Sequence, residues 1–307
     1  LIHFGQIISY ESRDMKNLIV VALVGALVAY ATVRWTATSD TTGVSAQESA
    51  FERVMRTKTL RCGYALWPPK AVMKDPKTGE LKGIFVDIAE AMAQALDLKL
   101  VWAEETGWGS YIESLSANRF DVFCAPLWRN AERGKLISYT TPLAYSAMHF
   151  YVRKNDTRFD ADLSILNNPQ YKLATMDGEI SHMVARRFFP KAQQLSIPQL
   201  ADISQLLLNV DTGKADGVFL EPSLALDYSL KNPGKIKQVT KEPYQVFPNS
   251  FGVLLGEAKL KEMLDSALVE LINQGEIDRI IARHEPDRSI FMPVQKPYVY
   301  VEPTPLK

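Results

Sequence analysis

The stretch that decides the fold is residues 83–102, GIFVDIAEAMAQALDLKLVW. Its apolar residues recur at helical spacing over Phe85–Leu96, which predicts an amphipathic helix. The short apolar run Lys99–Trp102 then predicts a strand. A helix followed closely by a strand is the repeating unit of a parallel sheet.

The same alternation extends outward on both sides of this stretch. Leu60–Tyr64 predicts a preceding strand, which the prolines of Trp67–Pro69 end because proline cannot donate to a strand ladder. Asp75–Gly79 predicts the turn of a small hairpin. A helix over Tyr111–Ala117 and a strand over Asp121–Cys124 follow.

The second half of the chain repeats the pattern. It predicts a strand over Leu173–Met176, a helix over Ile203–Val210 and a strand over Val218–Leu220. Two closing helices, separated at Gly275, are predicted within Leu260–Ile281. Residues 115–121 and 210–216 resemble each other, since in each a helix ends at Asn or Gly before an Asp opens the next strand. We therefore expect two similar α/β lobes.

Composition excludes several classes of function. The chain has 307 residues, 47% of them apolar, with 35 acidic and 35 basic residues. The absence of a basic excess argues against a nucleic-acid partner. The four histidines are scattered without metal-ligand spacing, so we predict no metal site and no cofactor.

The N-terminus has the pattern of an export signal. Lys16 precedes the apolar run Leu18–Val33, and Ala29–Ala31 offers a small-residue cleavage site. The run is about 16 residues long, near the lower limit for crossing a bilayer, so an uncleaved membrane anchor is the alternative. The predicted segments are an upstream artefact (1–14), the signal or anchor (15–34), a linker (35–55) and, at the other end, a proline-rich tail (286–307).

Candidate binding residues follow the predicted strands, because open parallel sheets bind ligands beyond the carboxyl ends of their strands. They are Trp67, Trp108, Trp128, Arg133, Gly178, Glu179 and Glu221. The tryptophans would stack on a flat group or face a cation, the alternative being ordinary packing. Arg133 would hold a carboxylate at a helix start capped by Asn130; the alternative is a surface salt bridge with Glu132 or Glu104.

Four motifs in order carry a resemblance to a known family. They are Trp67–Pro69, Gly83–Ala89, Ala131–Arg133 followed by Tyr139–Tyr145, and Gly275–Ile280. With this spacing the chain resembles, over residues 60–286, the bacterial extracytoplasmic solute-binding proteins of family 3, the amino-acid receptors of ABC uptake systems.

The resemblance implies a type II periplasmic-binding-protein fold, with a mostly parallel sheet in each lobe and a ligand cleft between the lobes. The first lobe would hold residues 56–146 and 251–285, and the second would hold 147–250. The residue matching Arg133 grips the ligand's carboxylate, the one matching Trp67 covers its side chain, and the one matching Glu221 takes its ammonium. The implied location is periplasmic. The implied partners are a small solute, an ABC permease and, if the signal is not cleaved, the inner membrane.

Two departures from the family pattern concern the ligand. Ala125, Pro126 and Trp128 stand where amino-acid binders carry small hydroxyl residues, and Glu179 follows Gly178 where Thr or Ser is usual. A second carboxylate would repel the carboxylate of an amino acid. Either Glu179 points away from the cleft, or the ligand is more cationic than a simple amino acid. We expect aromatic or basic amino acids, or related amines.

The fold implied by the resemblance makes the strands of Cys62 and Cys124 neighbours. These are the only cysteines, and an exported protein meets an oxidising compartment, so a disulfide is predicted. The alternative is two buried thiols, because bridges between adjacent parallel strands need an unusual Cα separation.

Two other functions fit the sequence less well. Some proteins of this fold are dehydratases of cyclohexadienyl acids, and Glu221 could serve such chemistry as a general acid. The sequence shows no nucleophile–base pair, however, and the prediction is a binding protein without enzyme activity. A sensor head would require a cytoplasmic signalling domain, which we do not expect in residues 1–17.

Overall fold

The structure is a computed structural model that describes residues 22–32, 48–287 and 290–295. The chain divides into two compact units, residues 1–48 and 49–307. In the first unit residues 22–32 form helix α1, inside the predicted signal or anchor. The rest of that segment and the predicted artefact 1–14 lie outside the described residues. No helix in the described ranges is long and apolar enough to cross a membrane.

The second unit opens with helix α2 (Ala50–Thr57), so the predicted linker 35–55 is wrong over its last residues. Ser49 and Glu52 form a capping box, in which each side chain accepts a hydrogen bond from the other residue's backbone N–H. Ala50 and Val54 are buried in the core, so this helix is part of the packed fold.

The first lobe confirms the predicted alternation of strands and helices. Parallel strands β4 (Lys99–Glu105), β1 (Thr59–Tyr64) and β5 (Val122–Trp128) lie side by side in that order. Helices α3 (Ile84–Ala95) and α4 (Tyr111–Ser116) connect them. The predicted hairpin is formed by β2 and β3, Met73–Lys74 and Leu81–Lys82.

The second lobe has the same plan. Its parallel strands are β10 (Gly217–Leu220), β8 (Lys172–Met176) and β9 (Gln193–Ile197), in that order. Its helices are α5 (Ile180–Phe188), α6 (Gln205–Asp211) and α7 (Pro222–Lys231), of which only α6 was predicted.

The helices in the two similar segments, residues 115–121 and 210–216, end in the same backbone conformation. Asn118, after α4, has φ 55°, and Gly213, after α6, has φ 74°. Asn and Gly tolerate this left-handed conformation better than other residues, so the same backbone turn leads into β5 and into β10.

Two long strands link the lobes. β7 (Ala144–Arg153) and β12 (Gln245–Leu254) pair antiparallel over residues 144–148 and 245–249. Beyond that overlap β7 continues along β10 and the short β11 (Ile236–Gln238), while β12 continues along β5 and β6 (Ile137–Tyr139). The result is two mostly parallel sheets joined through one antiparallel crossing.

The C-terminal part returns to the crossing. After helices α8 (Ala258–Asn273) and α9 (Glu276–His284), strand β13 (Phe291–Pro293) pairs with β7. The predicted proline-rich tail is therefore wrong at its start, because the side chain of Phe291 is fully buried. Both backbone N–H groups of Ile290 and Phe291 donate to the buried carboxylate of Glu285.

Cysteines 62 and 124 are joined in the first lobe. The sulfur of Cys62 in β1 lies 2.08 Å from that of Cys124 in β5, with the two Cα atoms 5.6 Å apart. The register brings them together, because Cys62 pairs with Val122 and Cys124 is two residues further along β5.

Candidate ligand cleft

The carboxylate of Glu221 is buried at the start of α7, where Glu221 is the N-cap residue and is 1% exposed. Its Oε2 accepts hydrogen bonds from Trp67 Nε1 at 2.8 Å and from the Ser223 hydroxyl at 2.9 Å. Its Oε1 is buried without a hydrogen-bond partner among the residues that the structure describes. Burial raises the pKa of Glu221 because a charged carboxylate is poorly solvated there.

Aromatic rings continue from Trp67 into the first lobe. The rings of Trp67 and Trp108 lie 5.2 Å apart and nearly perpendicular, and Trp108 lies 5.8 Å from Phe123. Phe123 in turn stacks on Tyr111 at 4.5 Å. Edge-to-face and stacked rings at these distances stabilise one another, so the wall has a fixed shape.

Arg133 is buried at the other end of this aromatic wall and is 3% exposed. It begins a short 3-10 turn whose N-cap residue is Glu132 and not Asn130 as predicted. The Asn130 side chain nevertheless accepts the backbone N–H of Arg133 at 3.0 Å. Its Nη2 donates to the carbonyl of Gly178 in the second lobe at 2.8 Å, and its guanidinium lies 5.8 Å from the Tyr111 ring centre.

The alternative interpretation of Arg133 as a surface salt bridge is wrong. Glu132 pairs with Arg186, and Glu104 pairs with Arg119. Arg133 therefore carries its charge inside the protein, where a guanidinium needs hydrogen-bond acceptors.

Glu179 is the second buried carboxylate of the second lobe and is 3% exposed. As the N-cap of α5 it accepts the backbone N–H of Ser181 at 2.7 Å. Burial raises the pKa of Glu179, and the positive charge of Arg133 acts in the opposite direction. The carboxylate is thus held inside, close enough to Arg133 for their charges to interact.

The two lobes meet at a pair of glycines. Gly178 has φ 72°, and a Cβ at this position would lie 2.3 Å from the Cα of Gly109. The backbone N–H of Gly109 also donates to the side chain of Gln199 at 2.8 Å. Only glycine permits both this backbone conformation and this approach.

A cavity of about 340 Å³ opens beside Trp108, between residues of the first lobe and residues of the second. Its walls are Ala65, Leu66, Pro68, Glu105 and Thr106 on one side and Met176 and residues 199–203 on the other. A volume of this order fits a small solute.

Trp128 lies apart from this wall. It ends β5, because the strand runs on through Ala125 and Pro126 instead of ending at Cys124 as predicted. Its ring stacks on Phe247 at 4.4 Å, and its Nε1 donates to the Ser146 hydroxyl at 2.9 Å. Its aromatic face is therefore occupied by the protein.

Ser146 connects Trp128 to Glu221 and was missed by the sequence analysis. Its oxygen accepts hydrogen bonds from Trp128 and, at 2.9 Å, from the side-chain amide of Asn249. The hydroxyl's own hydrogen remains for Glu221, whose pKa it lowers as a donor. Ser146 and Asn249 lie on the two crossing strands, and no local motif marked them.

Other buried polar groups were also missed. Within the described ranges, the hydroxyls of Tyr111, Thr175 and Ser250 and the amide oxygen of Asn249 are buried without a hydrogen-bond partner. Burial raises the pKa of Tyr111 to about 12. Of these residues, only Tyr111 could have been found from the sequence, because it closely follows Trp108, a candidate residue at a predicted strand end.

Residues 22–32, 48–287 and 290–295 contain no group of three or more His, Cys, Asp or Glu side chains that could hold a metal ion. Two lobes on a crossing pair of strands, with charged and aromatic side chains buried where they meet, define a solute-binding protein of the type II fold. Comparison with known proteins gives the family. The chain belongs to the bacterial extracellular solute-binding proteins, family 3, which match residues 60–286.

Among curated relatives, a probable amino-acid ABC transporter-binding protein of Haemophilus influenzae is 27% identical over 229 residues, covering 75% of this chain and 85% of the relative. Two solved structures share the fold. An ancestral amino-acid-binding protein, a precursor of cyclohexadienyl dehydratase, has a TM-score of 0.66 at 24% identity, covering 77% of this chain and 99% of its own. An ancestral arginine-binding protein bound to arginine has a TM-score of 0.64 at 24% identity, covering 74% and 98%.

Proposed function

We propose that this protein captures a small organic solute, an amino acid or a related amine, between its lobes outside the cytoplasm and delivers it to an ABC permease. The observation that carries the proposal is the burial of Arg133, Glu179 and Glu221 beside an aromatic wall where the two lobes meet. Buried ionised groups are costly, and a charged solute that completes their interactions offsets that cost.

The proposed roles follow from the contacts. Trp67 and Trp108 cover the body of the solute, and Glu221 pairs with its positive group. Arg133, Gly178 and Glu179 close the lobes around it. Trp128 acts through Ser146, which faces Glu221. The proposed lobe boundaries are those predicted, 146/147 and 250/251, which fall inside the long strands β7 and β12.

The relatives support this class of solute. The Haemophilus influenzae relative is named as an amino-acid transporter-binding protein, and one structural neighbour holds arginine. We propose binding without chemical conversion, because the Haemophilus influenzae relative is named as a binding protein and the sequence shows no nucleophile–base pair. Residues 15–34 are the proposed signal or anchor for export.

A thermal-shift screen tests the proposed function. The full chain is unfolded and refolded to remove any bound solute, then mixed singly with the common amino acids and their amine derivatives. We expect a clear rise in melting temperature with basic or aromatic members, confirmed at one site per chain by calorimetry. A shift with glutamate and none with arginine, lysine, tryptophan or phenylalanine would contradict the proposal.

A further inference from the structure

Three ionisable side chains are buried where residues of the two lobes contact each other: Arg133 and Glu179 at Gly178, and Glu221 at Trp67. Their charges are unequal. Arg133 contributes one positive charge, and Glu179 and Glu221 contribute one negative charge each when ionised. Each is at most 3% exposed. Within the described chain none of the three has an oppositely charged side-chain atom within 4.0 Å.

The positive charge of Arg133 is compensated by groups of the protein itself. Its Nη2 donates to the carbonyl of Gly178, and the carboxylate of the next residue, Glu179, interacts with its charge. Glu179 is held in place by the N–H of Ser181 at the start of α5. Together the two side chains sum to zero charge and hold the lobes together without a solute's carboxylate.

The negative charge of Glu221 is not compensated by a positively charged group of the protein. Its hydrogen-bond donors, Trp67, Ser223 and Ser146, are neutral. The charge that acts on it most is that of a further carboxylate, Glu285, whose own oxygens accept the N–H groups of Ile290 and Phe291. Its Oε1 is buried and unpartnered in the part of the chain that the structure describes.

We propose that the solute is an organic amine cation without a carboxylate, which places its positive group at Oε1 of Glu221 and its body against Trp67 and Trp108. A carboxylate beside aromatic faces favours a cation. A zwitterionic amino acid would leave the cleft with a net negative charge and bring its own carboxylate towards Glu179. The inference rests on the proposed function, because it names the solute class for the same cleft.

Matched pairs that differ only by a carboxylate test the inference. Calorimetry on the refolded full chain compares phenethylamine with phenylalanine, cadaverine with lysine, and agmatine with arginine. We expect at least one pair to bind, with the amine at least tenfold tighter than its amino acid. If the amino acid is the tighter member of every pair that binds, the inference fails. In that case the carboxylate of the amino acid binds to the Nε of Arg133, which has no hydrogen-bond partner in the described chain.

Two isosteric variants locate the effect. Glu221→Gln should weaken amine binding at least tenfold, and Glu179→Gln should narrow the preference for amine over amino acid, because the repelling charge is gone. Glu113→Gln, on the exposed face of α4, is the control and should change neither. Circular dichroism verifies that each variant is folded. Unchanged amine affinity in Glu221→Gln, or an unchanged preference for amine over amino acid in Glu179→Gln, would overturn the inference.

The outcomes separate the inference from the proposed function. If amino acids bind and their amines do not, the protein remains an amino-acid receptor and only the inference is lost. If no member of any pair binds, both are lost.

Discussion

Trp67 and Glu221 are far apart in sequence and joined by one buried hydrogen bond of 2.8 Å. Trp67→Phe keeps an aromatic ring but removes the donor, so we expect the free energy of unfolding to fall by about 1.5–3 kcal/mol, the range for a hydrogen bond to a charged group. Urea denaturation measures this. The matched control is Trp102→Phe, since Trp102 is half-buried and its side chain makes no hydrogen bond within the described chain. Equal losses in both variants would contradict the assigned bond.

The buried carboxylates also predict how stability depends on pH. Burial raises the pKa of Glu221 and of Glu179 above the ordinary 4.5, so the folded state holds more protons than the unfolded state just above that value. Their contribution to stability therefore falls as pH rises from 4.5 through the folded-state pKa. The slope per group is at most about 1.4 kcal/mol per pH unit.

Glu221→Gln removes one of these groups and isolates its share. We expect the free energy of unfolding of the variant, minus that of the wild type, to increase as pH rises from 5 to 8. Denaturant unfolding of the solute-free proteins at several pH values measures the difference. A difference that is constant or decreasing with pH would show that the carboxylate is not destabilised by burial.

At this scale the sequence was informative where a strand end carried a chemically distinctive residue. Trp67, Trp108, Arg133 and Glu221 lie where residues of the two lobes contact each other, and their role in binding stays a prediction. Ser146 and Asn249 could not be found, because their importance comes from the pairing of two strands separated by about a hundred residues. The sequence could not show that Trp128 lies outside the aromatic wall, because the residue that covers its ring, Phe247, is more than a hundred positions away in the chain.

At the scale of elements, the turn between β8 and α5 controls how closely the lobes approach. Gly178→Ala should lower solute affinity more than tenfold, because its Cβ would collide with the backbone of Gly109 when the lobes meet. Gly234→Ala is the control, with φ 75° and no atom within 4 Å of its Cβ. Both should lose about 1–2 kcal/mol of stability from the left-handed conformation. Equal solute affinity in the two variants, measured by calorimetry, would contradict the closure contact.

The C-terminal strand β13 makes a separate prediction. Phe291 is fully buried and its ring lies 5.5 Å from that of Phe85, so Phe291→Ala should lower the free energy of unfolding by about 3–5 kcal/mol. Met292→Ala, at a partly exposed neighbour, should change it by no more than about 0.5 kcal/mol. A small effect of Phe291→Ala would show that this segment is not part of the stable fold.

Elements with strong periodicity were predictable and others were not. Helix α3 has the clean apolar spacing that identified it, whereas α5 mixes polar and basic residues and α7 begins at a proline after a buried strand. The strand β13 was hidden by the prolines around it. Its position depends on the carboxylate of Glu285, a tertiary contact that no local pattern reveals.

For the whole molecule, two α/β halves share a crossing pair of strands. Within the described residues, Oε1 of Glu221 and Nε of Arg133 are buried without hydrogen-bond partners near the contacts between the halves. The alternation of strands and helices was sufficient to predict two lobes. The closure of one lobe on the other was not predictable, because it depends on contacts between residues far apart in the chain, such as Arg133 with Gly178.

The most direct test of the account is a calorimetric titration of the full chain, freed of solute by refolding, with the cationic amine that gives the largest thermal shift. We expect one solute per chain with micromolar or tighter affinity, and at least tenfold weaker binding by Glu221→Gln. Saturable binding that is unchanged in that variant, or no binding by any amine or amino acid, would contradict a solute cleft built around Glu221.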